Sequence, residues 1–402
     1  MTGPGLSRIA VVGGGPAGAT CARVLASSGA SVDLFEASPG AEKPCGGGIP
    51  SGVLREFPDL ADPALSRRIV RKVVLYSPSD RRVEVTLDGG IHIFRRNDLD
   101  SFLRRKAVEV GATLHLTRVR SVHPVRGAGW ELATDQGAAG PFDRVVAADG
   151  VRGCVRRALA GKFNDEHLSL ALYAYVPGAG SGEMVLKFFG DFDGYLWVFP
   201  RTDHVSVGIC AKHRSVQPAR LEEELHRFIR QHYPEASIGA ESSSAPGSST
   251  LTRGYFIPAS PSPAGTARRS GQGSHHRAFD HSGWALAGDA AGFVDPLTRE
   301  GISWAMRSGA EIGRDLVTAN ELRTPELPRD LMRAHDYGSG FYRRGFLENT
   351  VRLASASPAI RAVLADLLTG DQGYRSLKSR LLRNALPCGV QVGMRALAGL
   401  LS

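Results

Sequence analysis

A short glycine-bearing start leads into Arg8-Ile-Ala-Val-Val12, an unbroken apolar run closed by glycine. Such a run between turn signals predicts a strand buried on both faces of a parallel sheet. Gly13-Gly-Gly-Pro-Ala-Gly18 follows, then Ala19 to Ser28 at helical composition, with Gly29 as the stop. Ser31–Phe35 repeats the apolar strand pattern and ends at Glu36. The order is strand, G-x-G-x-x-G, helix, strand, acid. Gly13 permits the tight turn, Gly15 lets backbone approach a pyrophosphate, and Gly18 allows close packing of helix on strand. Pro16 and Ala17 open the helix, whose N-terminus stabilises phosphate charge. Glu36 is placed to accept from a ribose hydroxyl. The pattern predicts a dinucleotide-binding unit and does not choose between FAD and a nicotinamide.

Two later segments repeat the buried-strand signature. Phe142-Asp-Arg-Val-Val-Ala-Ala-Asp149-Gly150 runs into an Asp-Gly turn, and Gly283-Trp-Ala-Leu-Ala-Gly288-Asp289 ends in Gly-Asp, followed by Asp295-Pro296 and Gly301-Ile302. Thr113 to Val122 reads as one strand. On a strand, Tyr195, Trp197 and Phe199 of Tyr195-Leu-Trp197-Val-Phe199-Pro200 alternate with Leu196 and Val198, so three aromatics share one face. Phe188, Phe189 and Phe192 lie just upstream, so the segment suits an aromatic-walled, apolar pocket; a strand that simply packs on helices has the same pattern. Ser, Pro and Gly tracts at 243–249 and 270–276 read as loops, and the chain from about 325 reads helical.

Composition narrows the class. The chain of 402 residues is 42% apolar and 22% charged, which excludes disordered and small disulfide-scaffold readings. Glycine supplies 48 residues, concentrated in the segments above. The net charge of +9 is compatible with an anionic cofactor or lipid, and no nucleic-acid motif accompanies it, so no nucleic-acid partner is expected. Five cysteines form no C-x-x-C pair, which fits a reducing, cytoplasmic compartment. No apolar run reaches membrane-spanning length, and the start carries no signal-peptide pattern. His275-His276 on a loop lacks a ligand set, so no metal is expected. Basic residues interleaved with leucines in Ser376–Arg383 fit two readings: peripheral contact with the inner face of an anionic membrane, and a helical cap with a solvated basic face.

With D-G at Asp149-Gly150 and G-D at Gly288-Asp289, the chain resembles the FAD-dependent group of aromatic hydroxylases, flavin halogenases and geranylgeranyl reductases. Lys43-Pro-Cys45-Gly-Gly-Gly48, the Y-x-W-x-F-P strand and Gly288-Asp-Ala-Ala-Gly…Glu300-Gly-Ile302 are similar to the geranylgeranyl reductase family within it. The resemblance covers residues 8 to about 310. It implies a Rossmann-type α/β FAD domain assembled from 1–70, 95–165 and 280–330, an inserted substrate sheet from 71–94 and 168–279, and a C-terminal helical region, 331–402. It further implies FAD ligands at Arg96, Val119, Asp149, Gly288 and Asp289, with Gly46 and Gly47 close to the ring and Gly301 and Ile302 facing the flavin pyrimidine. Cys45 is expected near the isoalloxazine, as a proton donor or as a small wall residue. Phe188, Tyr195, Trp197, Phe199 and Pro200 are expected to line the substrate site, with Tyr195 and Trp197 facing positive charge on an alkene carbon. The implied activity is reduction of isolated double bonds in a prenyl chain on a lipid, diphosphate or quinone. The donor stays open among NAD(P)H, ferredoxin and a reduced quinone, with a reductase or ferredoxin as the candidate partner. The alternative within the group is a monooxygenase or halogenase. Two departures from the group stand out. Gly153 replaces the serine that usually follows D-G, and Thr298-Arg299 precedes Glu300 where relatives often have glycine.

Overall fold

Local sequence sets the elements and glycine sets where they touch. The computed structural model describes residues 8–43, 45–178, 180, 182–236, 238–239, 249–258, 283–319, 322–326, 328, 342, 344–369 and 380. In chain order these form β1 (Arg8–Val12), α1 (Pro16–Ser27), β2 (Ser31–Phe35), β3 (Gly48–Pro50), α2 (Ser51–Glu56), β4 (Arg67–Tyr76), β5 (Arg82–Phe94) and α3 (Arg96–Glu109). There follow β6 (Thr113–His115), β7 (Val119–Val125), β8 (Gly129–Thr134), β9 (Gly137–Phe142), β10 (Arg144–Ala147), α4 (Cys154–Ala160), β11 (Leu168–Pro177) and β12 (Met184–Phe188). The rest are β13 (Gly194–Pro200), β14 (His204–Lys212), α5 (Pro218–His232), β15 (Ile238–Gly239), β16 (Ser249–Pro258), β17 (Trp284–Leu286), α6 (Ile302–Ala319), and helices Arg344–Ala356 and Pro358–Thr369.

The apolar runs do become a parallel sheet, ordered β17-β10-β1-β2-β6, with β1 at its centre. α1 and α6 pack on it through a shared core that includes Ile9, Val11, Leu25, Val146 and Ile312. Gly309 has no room for a side chain, since a Cβ there would run into the Ala17 carbonyl, so the two helices cross at backbone distance. The stretch 113–122 is two strands rather than one: β6 completes the parallel sheet, and β7 starts a separate antiparallel sheet with β8 and β9. No glycine or proline marks that break; tertiary pairing of β6 with β2 decides it.

A second sheet has the order β15-β16-β11-β14-β13-β12-β4-β5-β3. One face is covered by α5, whose Leu221, Leu225, Phe228 and Ile229 recur at helical spacing and are buried. The other face carries Phe188, Tyr195, Trp197 and Cys210, and helices 344–356 and 358–369 cover part of it through Leu347, Val351, Ile360 and Leu364. Tract 243–249 lies outside the described residues except Ser249, which opens β16, and tract 270–276, His275 and His276 lie outside them altogether. Among the described residues no helix is long and apolar enough to cross a membrane.

Trp197 fits because its cross-strand partner is Gly208, over which the indole lies. Gly208→Ala places a methyl into that ring, and overpacking of this kind costs about 1–3 kcal/mol. The expected result is a lower denaturation midpoint at unchanged slope; an unchanged midpoint would show that the indole does not rest on this strand position.

Candidate active site

The G-x-G-x-x-G loop has the geometry that its sequence predicts. Gly13 adopts φ +105°, and a Cβ there would meet the Ala148 carbonyl, where the chain approaches the Asp149 motif. Gly18 lies against the Gly13 carbonyl, whereas nothing stands within 4 Å of a Cβ at Gly15, which faces open space. α1 starts at Pro16 with no side-chain cap and no acid in its first turn, so its terminal N–H groups have no side-chain partner. That is a cradle for phosphate. Glu36 lines the same cavity, its carboxylate accepting from the Gly14 N–H at 2.8 Å and the Ser38 N–H at 2.7 Å. Arg104, buried, braces the loop by donating to the carbonyls of Gly14 at 3.1 Å and Pro39 at 2.9 Å.

The cavity continues from this loop, with a volume of about 1120 Å³, to the aromatic face of the second sheet. Between the two ends stands the cysteine loop. A Cβ on Gly46 or Gly48 would come within 2.9 and 2.7 Å of the Phe199 ring, so those glycines are where the loop lies flat on the aromatic strand. Gly47, at φ +81°, turns against the Phe94 carbonyl. Arg201 follows the Y-x-W-x-F-P strand and is fully buried. It donates to the Cys45 carbonyl at 2.8 Å and to Glu42 at 2.6 Å. The same Glu42 carboxylate accepts from the N–H groups of Arg96 and Asn97, at 2.9 and 2.7 Å, where α3 starts. Burial raises the Glu42 carboxyl, but Arg201 and these amides outweigh it and leave it below its ordinary value. Cys45 Sγ accepts from the Gly47 N–H at 3.3 Å and lies beside the Arg96 guanidinium.

Most of the expected site residues share this cavity: Gly13, Gly15, Pro16, Ala17, Glu36, Cys45, Gly46, Gly47, Arg96, Val119, Asp149, Phe188, Tyr195, Trp197, Phe199, Asp289, Gly301 and Ile302 all line it. Gly18, Gly288 and Pro200 do not: the two glycines permit close packing behind the wall, and Pro200 is buried at the end of β13. Phe189 and Phe192 stack on each other in the opposite core, so they contribute nothing to the cavity's aromatic wall. Arg96 makes a bidentate pair with Asp100, at 3.1 and 2.9 Å, within α3. Asp289 accepts from Lys43 Nζ at 2.7 Å and the Tyr255 hydroxyl at 3.0 Å; burial raises its carboxyl, and Lys43 outweighs that to leave it low. Sequence reasoning missed Glu42, Lys43, Arg104, Arg201 and Tyr255. Only Lys43 carried a signal, through its place in the K-P-C-G-G-G motif.

Gly153 has a local explanation. The Asp149 carboxylate turns under α4 and accepts from the N–H of Val155 at 2.7 Å and of Arg156 at 3.3 Å, and a Cβ at 153 would run into it. Burial pushes the Asp149 carboxyl up to about 6 despite those amides.

An open glycine turn, an uncapped helix start with phosphate geometry, an acid at the second strand and an adjoining apolar cavity fit FAD. Gly13 to Ala17 would hold its pyrophosphate, Glu36 and Val119 would lie at its adenosine end, and Asp289 and Gly301-Ile302 would lie toward its flavin. Fold and site together define a flavin-dependent oxidoreductase. A family model described as pyridine nucleotide-disulphide oxidoreductase matches residues 7–154. Geranylgeranyl diphosphate reductase of Synechocystis is 32% identical over 348 residues, covering 78% of this chain and 76% of that protein. Digeranylgeranylglycerophospholipid reductase of Methanoculleus marisnigri is 28% identical, covering 78% of each. The chain belongs to the geranylgeranyl reductase family. A geranylgeranyl bacteriochlorophyll reductase-like protein of Thermoplasma acidophilum shares the fold, with TM-score 0.72 and 22% identity over 94% of this chain and 99% of that one. The fold is also that of a halogenase solved with phloroglucinol and FAD, at TM-score 0.65 and 15% identity over 98% and 94%.

The raised Asp149 carboxyl has a signed consequence. Its folded-state value lies above the unfolded one, so the native state holds the extra proton between about pH 4 and 6 and stability falls as pH rises through that window. Asp149→Asn removes this dependence. In denaturant titrations the variant should gain on the parent by up to about 3 kcal/mol from pH 4 to 6 and no further above; a pH-independent difference would contradict the burial account.

Proposed function

We propose that this protein is an FAD-dependent reductase that saturates isolated C=C bonds of a prenyl, geranylgeranyl-type chain carried on a lipid, a diphosphate or a quinone. The observation that carries this is the joining of the cysteine loop to the aromatic strand: Gly46 and Gly48 lie on Phe199, so one cavity runs from the nucleotide cradle to an apolar wall of Phe188, Tyr195 and Trp197. The names of the relatives point to prenyl diphosphate and prenyl lipid substrates.

Bound FAD supplies the hydride. The side chains supply what an unactivated alkene lacks. A trisubstituted double bond accepts hydride poorly, so proton addition leads or accompanies it, and positive charge develops on the tertiary carbon. Aromatic faces stabilise such charge by about 0.5–2 kcal/mol when water is excluded. Tyr195 is suited to that task rather than to proton transfer. Its hydroxyl donates to the Thr298 carbonyl at 2.5 Å, and burial holds its ionisation well above the ordinary phenol range. Cys45 is the proton-bearing side chain at the loop, fixed through its carbonyl by Arg201 and through Sγ by the Gly47 N–H. The apolar wall keeps water from the reacting carbons. Reducing equivalents come from NAD(P)H, a ferredoxin or a reduced quinone. The basic segment Ser376–Arg383, which apart from Arg380 lies outside the described residues, keeps its two readings, contact with an anionic membrane face or a helical cap with a solvated basic face.

The monooxygenase and halogenase reading shares the fold with the solved halogenases. Oxygen separates them. With FAD reduced anaerobically, geranylgeranyl diphosphate, a geranylgeranylated glycerolipid or a menaquinone should reoxidise the flavin and yield a product heavier by two hydrogens. Flavin that stays reduced with all three, followed by an oxygenated or halogenated product on admitting air, would reverse the assignment.

A further inference from the structure

At the sheet-side wall of the cavity one charged side chain has no carboxylate partner among the described residues, and it stands at a departure from the family pattern. Arg299 adopts φ +57°, a backbone region that strongly favours glycine, and it is held there by two hydrogen bonds. Its N–H donates to the Asp295 carbonyl at 2.8 Å, and the Asp295 N–H donates to the Glu300 carbonyl at 2.8 Å. Asp295 Oδ1 pins the same turn by accepting from Leu297 and Thr298, at 2.8 and 3.0 Å. The turn therefore fixes where the side chain leaves the backbone.

That side chain lines the cavity on the side of the second sheet. Its guanidinium lies 5.8 Å from the Tyr342 ring centroid and against the Cys210 thiol, with Tyr195 close by. Nε and Nη1 are both buried and have no hydrogen-bond partner. Among the described residues no carboxylate pairs with it. The neighbouring Glu300 is turned the other way, accepting from the Ser303 N–H at 2.8 Å where α6 starts. A guanidinium cannot shed its proton, and a buried charge left unpaired is costly, so this arrangement suits a site completed by an incoming anion. A planar fork with two free N–H directions matches a carboxylate or a phosphate.

We propose that Arg299 binds an anionic oxygen group of the substrate, carboxylate or phosphate, at the sheet-side wall of the cavity. The proposal rests on the reading that the cavity takes a prenyl chain. Arg299 then selects charged prenyl compounds over neutral ones and fixes how the chain is threaded past Tyr195 and Trp197. Neutral prenyl alcohols and uncharged carriers lack the group that it holds.

The test uses saturated chains, which bind but cannot be reduced, so its outcome does not depend on reductase chemistry. Phytanic acid, phytanyl phosphate and phytanol are titrated calorimetrically into the FAD-loaded protein and its Arg299→Gly variant. Glycine suits φ +57°, so the variant relieves backbone strain and should fold and load FAD. The expected result is tighter binding of both anions than of the alcohol by the parent, and about 10- to 100-fold weaker anion binding by the variant, with the alcohol unchanged. The acid and the phosphate arms distinguish which anion the site fits. An anion-to-alcohol ratio that is the same in both proteins would overturn the proposal. A shifted flavin midpoint potential with that ratio unchanged would instead assign the guanidinium to the cofactor. If none of the three chains binds the parent protein, the prenyl reading falls and takes this proposal with it.

Discussion

Everything at the site depends on the seat of the cysteine loop on the aromatic strand. The loop belongs in sequence to the nucleotide-binding end of the chain, and the strand to the second sheet. Glycine at 46 and 48 lets the Phe199 ring lie directly against the loop's backbone, and a side chain at either position would hold the two apart. Arg201 then ties the Cys45 carbonyl to Glu42, and Glu42 caps the start of α3, from which Arg96 reaches back to Cys45. Packing sets the distance and the buried ion pair sets the orientation. The energetics follow from burial: a fully buried arginine is tolerated because a carboxylate, a carbonyl and the Tyr175 ring share its charge.

The same logic separates the cavity into two halves. Toward the nucleotide loop three ion pairs form: Arg96 with Asp100, Lys43 with Asp289, Glu42 with Arg201. Toward the second sheet the wall is apolar and aromatic, and Arg299 is the cation there that has no carboxylate among the described residues. Arg104 at the nucleotide end donates only to neutral groups, the carbonyls of Gly14 and Pro39 and the Ser101 hydroxyl. The apolar end excludes water, which strengthens whatever interaction the remaining charge makes.

Much of the nucleotide end was legible in sequence because each glycine there answers a local need. Gly13 turns, Gly15 leaves space and Gly18 packs, so spacing alone carries the reading. The aromatic face was legible from alternation, which put Tyr195, Trp197 and Phe199 together. Phe189 and Phe192 misled because a turn between β12 and β13 sends them to the opposite core. The split of 113–122 into two strands left no mark either, since pairing with β2 ends the first. Arg201, Glu42 and Arg104 were not legible at all. Each acts on a backbone group far away in sequence, and nothing in the residues themselves tells a buried arginine from a solvated one. Gly153 and Arg299 were visible as departures, and only the fold shows that one accommodates a carboxylate while the other aims a charge into the cavity.

The most direct measurement is a crystal structure of the FAD-loaded protein soaked with a phytyl-chain compound. The account predicts FAD with its pyrophosphate at Gly13–Ala17 and the chain in the adjoining half of the same cavity, between the Cys45 loop and the rings of Tyr195 and Trp197. A chain bound elsewhere on the protein, with the cavity wall beside Trp197 left bare, would contradict it.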